Sequence, residues 1–249
     1  MKKQIFTIIC ATSIVAVTAQ TSGKVTYEEK VKFEMKLEGI DSAMMARFPK
    51  EHTITKVLYY TPEVSLYQND KSKKNKKDIE QSEGGNHMIV KMDTPDDQAF
   101  CDLKNNKQIE QRDFMSRKFL IETNLDKMEW KLTGNQKMIL NYPCQEALLK
   151  DTTKKVSAWF TPEIAVSTGP AGYSNLPGLI MELDQDNGKR VITAKGIDAT
   201  EFDKKLLSKP TEGKKVTKEQ FNKIVDEKRK EMQAQNGGNG NIMIKINNN

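Results

Sequence analysis

The sequence predicts a mainly β fold: one strongly curved antiparallel sheet, an open half-barrel, with a C-terminal helix. Three observations lead there. Residues 24–38, KVTYEEKVKFEMKLE, alternate apolar and polar side chains over an unusual length. Short apolar runs then recur between clusters of Asn, Asp, Gly, Pro and Thr, the spacing of a meandering sheet. Near the end the period changes, and Phe221, Ile224, Val225 and Met232 fall on one stripe of a helix over about 218–234.

The elements follow in chain order. Lys2 and Lys3 precede an apolar run from Ile5 to Val17, and Val17-Thr18-Ala19 sets small residues where a leader peptidase reads them. Residues 1–19 therefore read as a secretory signal peptide, with Gln20 at the mature N-terminus. Ile9 before Cys10 does not suit a lipid-attachment site, so the expectation is an exported soluble chain in the periplasm, at the cell surface or outside. No later run reaches the roughly 18 apolar residues of a membrane-spanning helix.

In 24–38 the buried set is Val25, Tyr27, Val31, Phe33, Met35 and Leu37, with Glu29 the single defect. Fifteen residues at about 3.3 Å each run to roughly 50 Å, longer than an ordinary strand of up to about ten residues. Such a ribbon curls, hence a bent sheet or open barrel. A short helix capped by Asp41 is expected over 41–48. Strands are expected at 53–60, 63–68, 87–92, 98–103, 107–115, 117–123, 128–133, 137–140, 144–150, 154–160, 179–183 and 189–197. Thr94-Pro95-Asp96-Asp97, Lys104-Asn105-Asn106, Thr133-Gly134-Asn135 and Asp186-Asn187-Gly188 supply turns between them. Thr217 and Gln220 form a capping box for the final helix. One domain thus covers 20–235, and 236–249 is an Asn/Gly-rich tail.

Charge and composition exclude several functions. The formal net charge of +6 falls to +4 once Lys2 and Lys3 leave with the leader, and both signs are interspersed, which suits solubility rather than a nucleic-acid footprint. His52 and His87 show no paired spacing and there is no CxxC, so no metal site is expected. Gly172-Tyr173-Ser174-Asn175-Leu176 begins like a nucleophile elbow but lacks its last glycine and its α/β context. No glycine-rich phosphate loop occurs, and no cofactor is expected. After export, Cys101 and Cys144 suit a disulfide, the alternative being two separately buried thiols. A bridge would also remove the thiolate needed for Cys144 to act as a nucleophile. The Lys71–Lys77 run, DKSKKNKK with its aspartate, is a solvated hairpin loop or a contact for an acidic partner.

One stretch breaks the rhythm: WFTPEIAVSTGPAGYSNLPGLIMEL at 159–183. Pro162 stops a strand, Gly169-Pro170-Ala171-Gly172 bends the chain, and Pro177-Gly178 suits a type II turn before Leu179 restarts a strand. With YPCQEA at 142–147, this stretch resembles the GLPGLI family of the Bacteroidetes, densely over 117–197 and thinly elsewhere. Here the motif reads NLPGLI, with Asn175 in place of the first glycine, a residue that tolerates left-handed backbone. The resemblance implies an exported protein of no established activity, and a strand pattern similar to the open half-barrels of periplasmic lipoprotein carriers.

Trp159, Phe160, Glu163, Tyr173, Leu176, Pro177, Gly178 and Leu179 form the candidate binding loop. Their apolar members either line a cleft for an apolar ligand or plug one end of the sheet, and the plug is favoured. The expected function is a non-enzymatic binding or carrier protein of the envelope, holding an apolar small molecule or lipid moiety in the curved sheet. The alternative is a protein-interaction or structural module that meets an envelope partner through sheet edges or the Lys71–Lys77 loop.

Overall fold

The computed structural model describes residues 21–32, 49–73, 77–83, 86–92, 94–125, 127–198, 200 and 202–235. The expected leader, residues 33–38 of the expected long first strand, the helix expected at 41–48, residues 74–76 of the lysine run and the tail from 236 lie outside the described residues. The strands are β1 (Gly23–Lys32), β2 (Glu51–Tyr60), β3 (Val64–Asn69), β4 (Lys77–Glu83), β5 (Asn86–Met92), β6 (Gln98–Asp102) and β7 (Lys107–Phe114). They continue as β8 (Arg117–Asn124), β9 (Trp130–Ile139), β10 (Tyr142–Leu149), β11 (Val156–Thr161), β12 (Leu179–Gln185), β13 (Arg190–Asp198) and β14 (Lys214–Val216), before helix α1 (Lys218–Gln235). The expected class is what is found: mainly β, one open antiparallel sheet and a C-terminal helix.

Twelve of these strands form one sheet in the order β14-β8-β7-β6-β3-β2-β1-β13-β12-β11-β10-β9, while β4 and β5 form a separate hairpin. Every described pairing in the large sheet is antiparallel except the short β14, which runs parallel to β8. The end strands β14 and β9 do not pair, so the sheet never closes. It is strongly bent all the same. Glu110 of β7 and Val156 of β11 line one cleft, although seven strand spacings, about 34 Å in a flat sheet, separate their strands.

Alternation decides which side chains turn inward. In β1, Val25, Tyr27 and Glu29 are wholly buried, while Lys24, Thr26 and Glu28 are only partly covered. Across the pairing, β2 contributes Ile54, Lys56, Leu58 and Tyr60 to the buried set. The main core joins Val25, Tyr27, Leu58 and Tyr60 to Phe160, Leu179, Met181, Leu183 and Ile192. A second cluster sits at the other end, where Phe114, Phe119 and Ile121 receive Phe221 and Val225 of α1. That helix starts with the expected capping box: the Thr217 N–H donates to Gln220 Oε1 at 3.0 Å, and the Gln220 N–H donates to Thr217 Oγ1 at 3.2 Å.

Several expectations are corrected. Thr133-Gly134-Asn135 is not a turn, because β9 runs through it. Gly134 takes φ +86 beside a register shift at Gln145/Ala147, so a bulge bends the strand without ending it. The reversal falls instead at Leu140 and Asn141, both at positive φ, in the two-residue loop between β9 and β10. The disulfide is also corrected: Cys101 and Cys144 are both free and buried. Their strands, β6 and β10, stand seven places apart in the sheet, and each thiol fills its own part of the interior.

Candidate functional site

Residues 162–178 connect β11 to β12, and this loop satisfies its backbone by folding over the start of β12. The Leu179 N–H donates to Ile164 O at 3.0 Å and the Ile180 N–H to Thr168 O at 3.0 Å. Because Ile164 takes the Leu179 amide, Pro177-Gly178 cannot close as the expected type II turn. Gly178 N–H donates to Leu176 O at 2.8 Å, a three-residue γ-type closure. Gly178 has φ +155, and a Cβ there would stand 2.1 Å from Thr161 O, so the site admits only glycine. Asn175 takes left-handed φ +68, as its substitution for glycine allows. Its Oδ1 accepts the Met128 N–H at 3.0 Å, while Trp130 Nε1–H donates to Ser174 O at 2.9 Å.

The loop is mostly a plug. Phe160, Ile164, Val166, Leu176 and Leu179 are buried in the main core. Thr168 Oγ1 donates to Ser65 Oγ at 2.8 Å, and Tyr27 OH to Ile180 O at 2.6 Å, which tie the loop and the strand after it to β3 and β1. Trp159 is half-buried against the edge of that core and lies under the Lys137 ammonium, 4.2 Å from its ring centre. Glu163 and Pro177 are exposed. Of the eight residues singled out by sequence, Tyr173 alone lines the cleft beside the plug, with its neighbour Ala171.

That cleft has a volume of about 580 Å³. Its floor is the concave face of the sheet (Lys56, Tyr67, Ala99, Glu110, Arg112, Arg190). One wall is the motif loop with residues 153–156, and the other is α1 through Lys218, Phe221, Asn222 and Val225. Among the described residues its lining holds six cations and four carboxylates.

The deepest charge is Glu29, wholly buried beneath the cleft. Arg190 Nε donates to Glu29 Oε1 at 2.9 Å and Tyr67 OH to Glu29 Oε2 at 2.9 Å. Burial alone would push this carboxyl up; the charges of Arg190 and Lys56 and these two hydrogen bonds outweigh it and hold it at about 2. A second ionic group lies across the floor, where Arg112 pairs with Glu110 at 2.6 Å and Asp97 at 3.3 Å. Tyr173 OH accepts from Gln185 Nε2 at 2.8 Å, and the Gln185 Oε1 accepts from Arg190 at 2.9 Å. Lys56 is 3% exposed between the two groups, its ammonium 5.4 Å from the Tyr67 ring centre. Burial lowers its pKa, against the pull of Glu29 and Asp97.

The remaining candidates lie elsewhere. Burial pushes the Cys101 thiol up to about 12 and the Cys144 thiol up to about 11, so neither is a thiolate at neutral pH. His52 is buried on β2, its Nε2 3.1 Å from Thr94 Oγ1, and His87 stands on β5 of the hairpin. Among the described residues no group of three or more His, Cys, Asp or Glu is placed to hold a metal, and no helix is long and apolar enough to cross a membrane. Sequence reasoning missed Lys56 and Arg190 altogether. The available signal was a charge in step with core residues: Glu29 in β1, and Lys56 between Ile54 and Leu58 in β2.

Residues 150–182 match a family described as a protein of unknown function (Porph_ging). The match covers most of the motif stretch and agrees with the family resemblance carried by those residues. No curated protein matches the chain. Among solved structures, two of PNGF-II in different space groups are similar, at 18% and 17% identity and TM-scores of 0.54 and 0.53. Each alignment covers 84% of this chain, which spans about a third of PNGF-II, 33% and 34% in the two cases. At that identity the likeness is one of fold.

Proposed function

We propose that this chain is an exported, non-enzymatic binding module of the cell envelope, and that its ligand occupies the cleft between the concave sheet, the motif loop and α1. The observation that carries this reading is the cleft itself, about 580 Å³ bounded by three separate parts of the chain. That volume falls within the usual range for small-molecule sites. The interior chemistry alters the ligand expected from sequence. The apolar residues of the motif loop mostly form the plug, and the open space is walled by charged, phenol and amide groups together with apolar side chains such as Ile121, Val156 and Phe221. A small molecule with a polar or charged group fits such mixed walls better than a bare lipid chain, whose burial would strand the charged groups without partners.

Native mass spectrometry of the protein incubated with the water-soluble and lipid fractions of the same envelope tests this. The expected result is a small-molecule adduct from the water-soluble fraction, lost in Ala99→Trp, which fills the cleft from β6. An adduct from the lipid fraction alone, or one indifferent to Ala99→Trp, overturns it.

A second reading, an interaction module, rests on the open edge at β9. Leu132 is 54% exposed, Met138 63% and Leu148 of the neighbouring strand 41%. An unpaired edge with apolar side chains accepts an added strand from a partner, and the Lys71–Lys77 loop offers a second contact. This reading requires a stoichiometric envelope partner lost in Leu132→Glu/Met138→Glu and retained in Ala99→Trp.

A further inference from the structure

The cleft contains three inner cations, and they are not equivalent. Arg190 is held by Glu29 and Gln185, and Arg112 by Glu110 and Asp97. Lys56 is not held by anything of the kind. It is 3% exposed, yet among the described residues its ammonium has no hydrogen bond and no ion pair. The aromatic face of Tyr67 favours a cation at 5.4 Å but is no hydrogen-bonded counter-ion. The two carboxylates that act on it from a distance are already engaged, Glu29 by Arg190 and Tyr67, and Asp97 by Arg112 and the Asp113 N–H. Buried charges in folded proteins are normally paired. An ammonium without such a partner at the floor of an open cleft suits an anionic ligand.

The mouth of the cleft agrees. Lys154, Lys155 and Lys218 line it beside Asp186 and Asp226, and this slight excess of positive charge favours small anions. The wall beside Lys56 suits the body of such a molecule: Tyr67 offers a ring face, while Gln98 and Asn222 offer amides. On the reading of the cleft as a binding site, we propose that it is selective for small organic oxyanions. The carboxylate or phosphate group of the ligand takes the ammonium of Lys56 as its partner, and the polar body lies against Tyr67 and Tyr173.

The test titrates the full mature chain at neutral pH with succinate and, separately, with inorganic phosphate, following thermal unfolding and calorimetric binding against sodium chloride at matched ionic strength. At least one oxyanion should raise the melting temperature in a saturable way that chloride does not reproduce. Whichever acts identifies the group as carboxylate or phosphate. Lys56→Met, close in shape but uncharged, should weaken that binding by about thirtyfold or more, the least expected from removing one side of a buried charge pair. Its ligand-free melting temperature sets the baseline, because the Lys56 charge also acts on the Glu29 carboxylate, and the readout is the shift that the oxyanion adds to it. The surface substitution Lys73→Met should change neither. Ala99→Trp, which fills the cleft without touching the charge, should also abolish the response.

Three outcomes overturn the proposal: no saturable effect of either oxyanion on the wild type, equal binding by Lys56→Met, or a response that survives Ala99→Trp. An envelope-derived adduct that persists in Lys56→Met but not in Ala99→Trp keeps the cleft as a binding site and rejects only the assignment of Lys56.

Discussion

The plug and the cleft share the concave face of one sheet and are built by opposite means. At the plug, Phe160, Leu176, Leu179, Ile180 and Met181 are at most 2% exposed, and the loop's polar atoms bond within the loop or to nearby strands. At the cleft, Glu29, Lys56, Arg112 and Arg190 occupy positions that the same alternation assigns to the interior. The difference teaches where the fold spends stability. Apolar packing is non-directional and tolerant, so the plug holds the sheet in its curve. Buried charge is costly unless matched atom for atom, and on the proposed reading the charges of the cleft serve recognition.

Separating Glu29 from Arg190 breaks the comparison most sharply. Glu29→Gln leaves the Arg190 guanidinium, 13% exposed, without its carboxylate and should cost about 3–5 kcal/mol in urea unfolding. Replacing both partners, Glu29→Leu with Arg190→Leu, should recover most of that loss, because an apolar pair of similar bulk needs no compensation. A single substitution costing under about 1 kcal/mol would show that the two ends of the concave face do not differ as described.

Leu179→Ala tests the plug by the same measurement. Its side chain is fully buried where the loop meets β12, and truncation should cost about 3 kcal/mol through lost contacts and the cavity left behind. Unlike the charged substitutions, this loss should not change with pH.

The pH dependence sharpens the contrast further. The folded Glu29 carboxyl is held at about 2, below its ordinary 4.5. Its contribution is therefore complete above pH 4.5 and disappears as pH falls toward 2. Lowering the pH from 6 to 3 should cost about 2 kcal/mol from this group, a slope that Glu29→Gln should lack. Lys56 acts in the alkaline range. Its folded pKa is lowered, so ligand-free stability falls as pH drops from the ordinary lysine range through the folded value, and a bound oxyanion should flatten that decline.

The legible part of the fold was whatever repeats. The alternation of β1 over Gly23–Lys32, the turn residues before β6 and after β12 and the capping box of α1 are local signals, and each of these stands where the sequence places it. β4 was missed because KDIEQSE has little apolar alternation, and β14 because three residues carry no period. Gly134 reads as a turn by composition, yet the sheet absorbs it as a bulge. The candidate site was legible only as an anomaly. Glu29 was visible as a defect, but its partners lie 38 and 161 residues away, and no local pattern connects them. The motif loop drew attention through its prolines and aromatics, which shape a plug, while the groups facing open space were spread over β2, β3, β7 and β13.

The smallest effect concerns how α1 closes the cleft. Thr217 Oγ1 accepts the Gln220 N–H, and Thr217→Ala should cost about 1 kcal/mol, too little to unfold the sheet. The loss falls on the first turn, the part that brings Lys218, Phe221 and Asn222 to the cleft. Hydrogen exchange should therefore speed up at the amides of 219–222 while those of β1 and β13 stay protected. If α1 is a wall of the site, the same variant should also weaken oxyanion binding, whereas a helix that only covers Phe114 and Phe119 would exchange faster and leave binding unchanged. The two readouts together decide whether the charged end of the face is a three-sided site or an open sheet with a helix nearby.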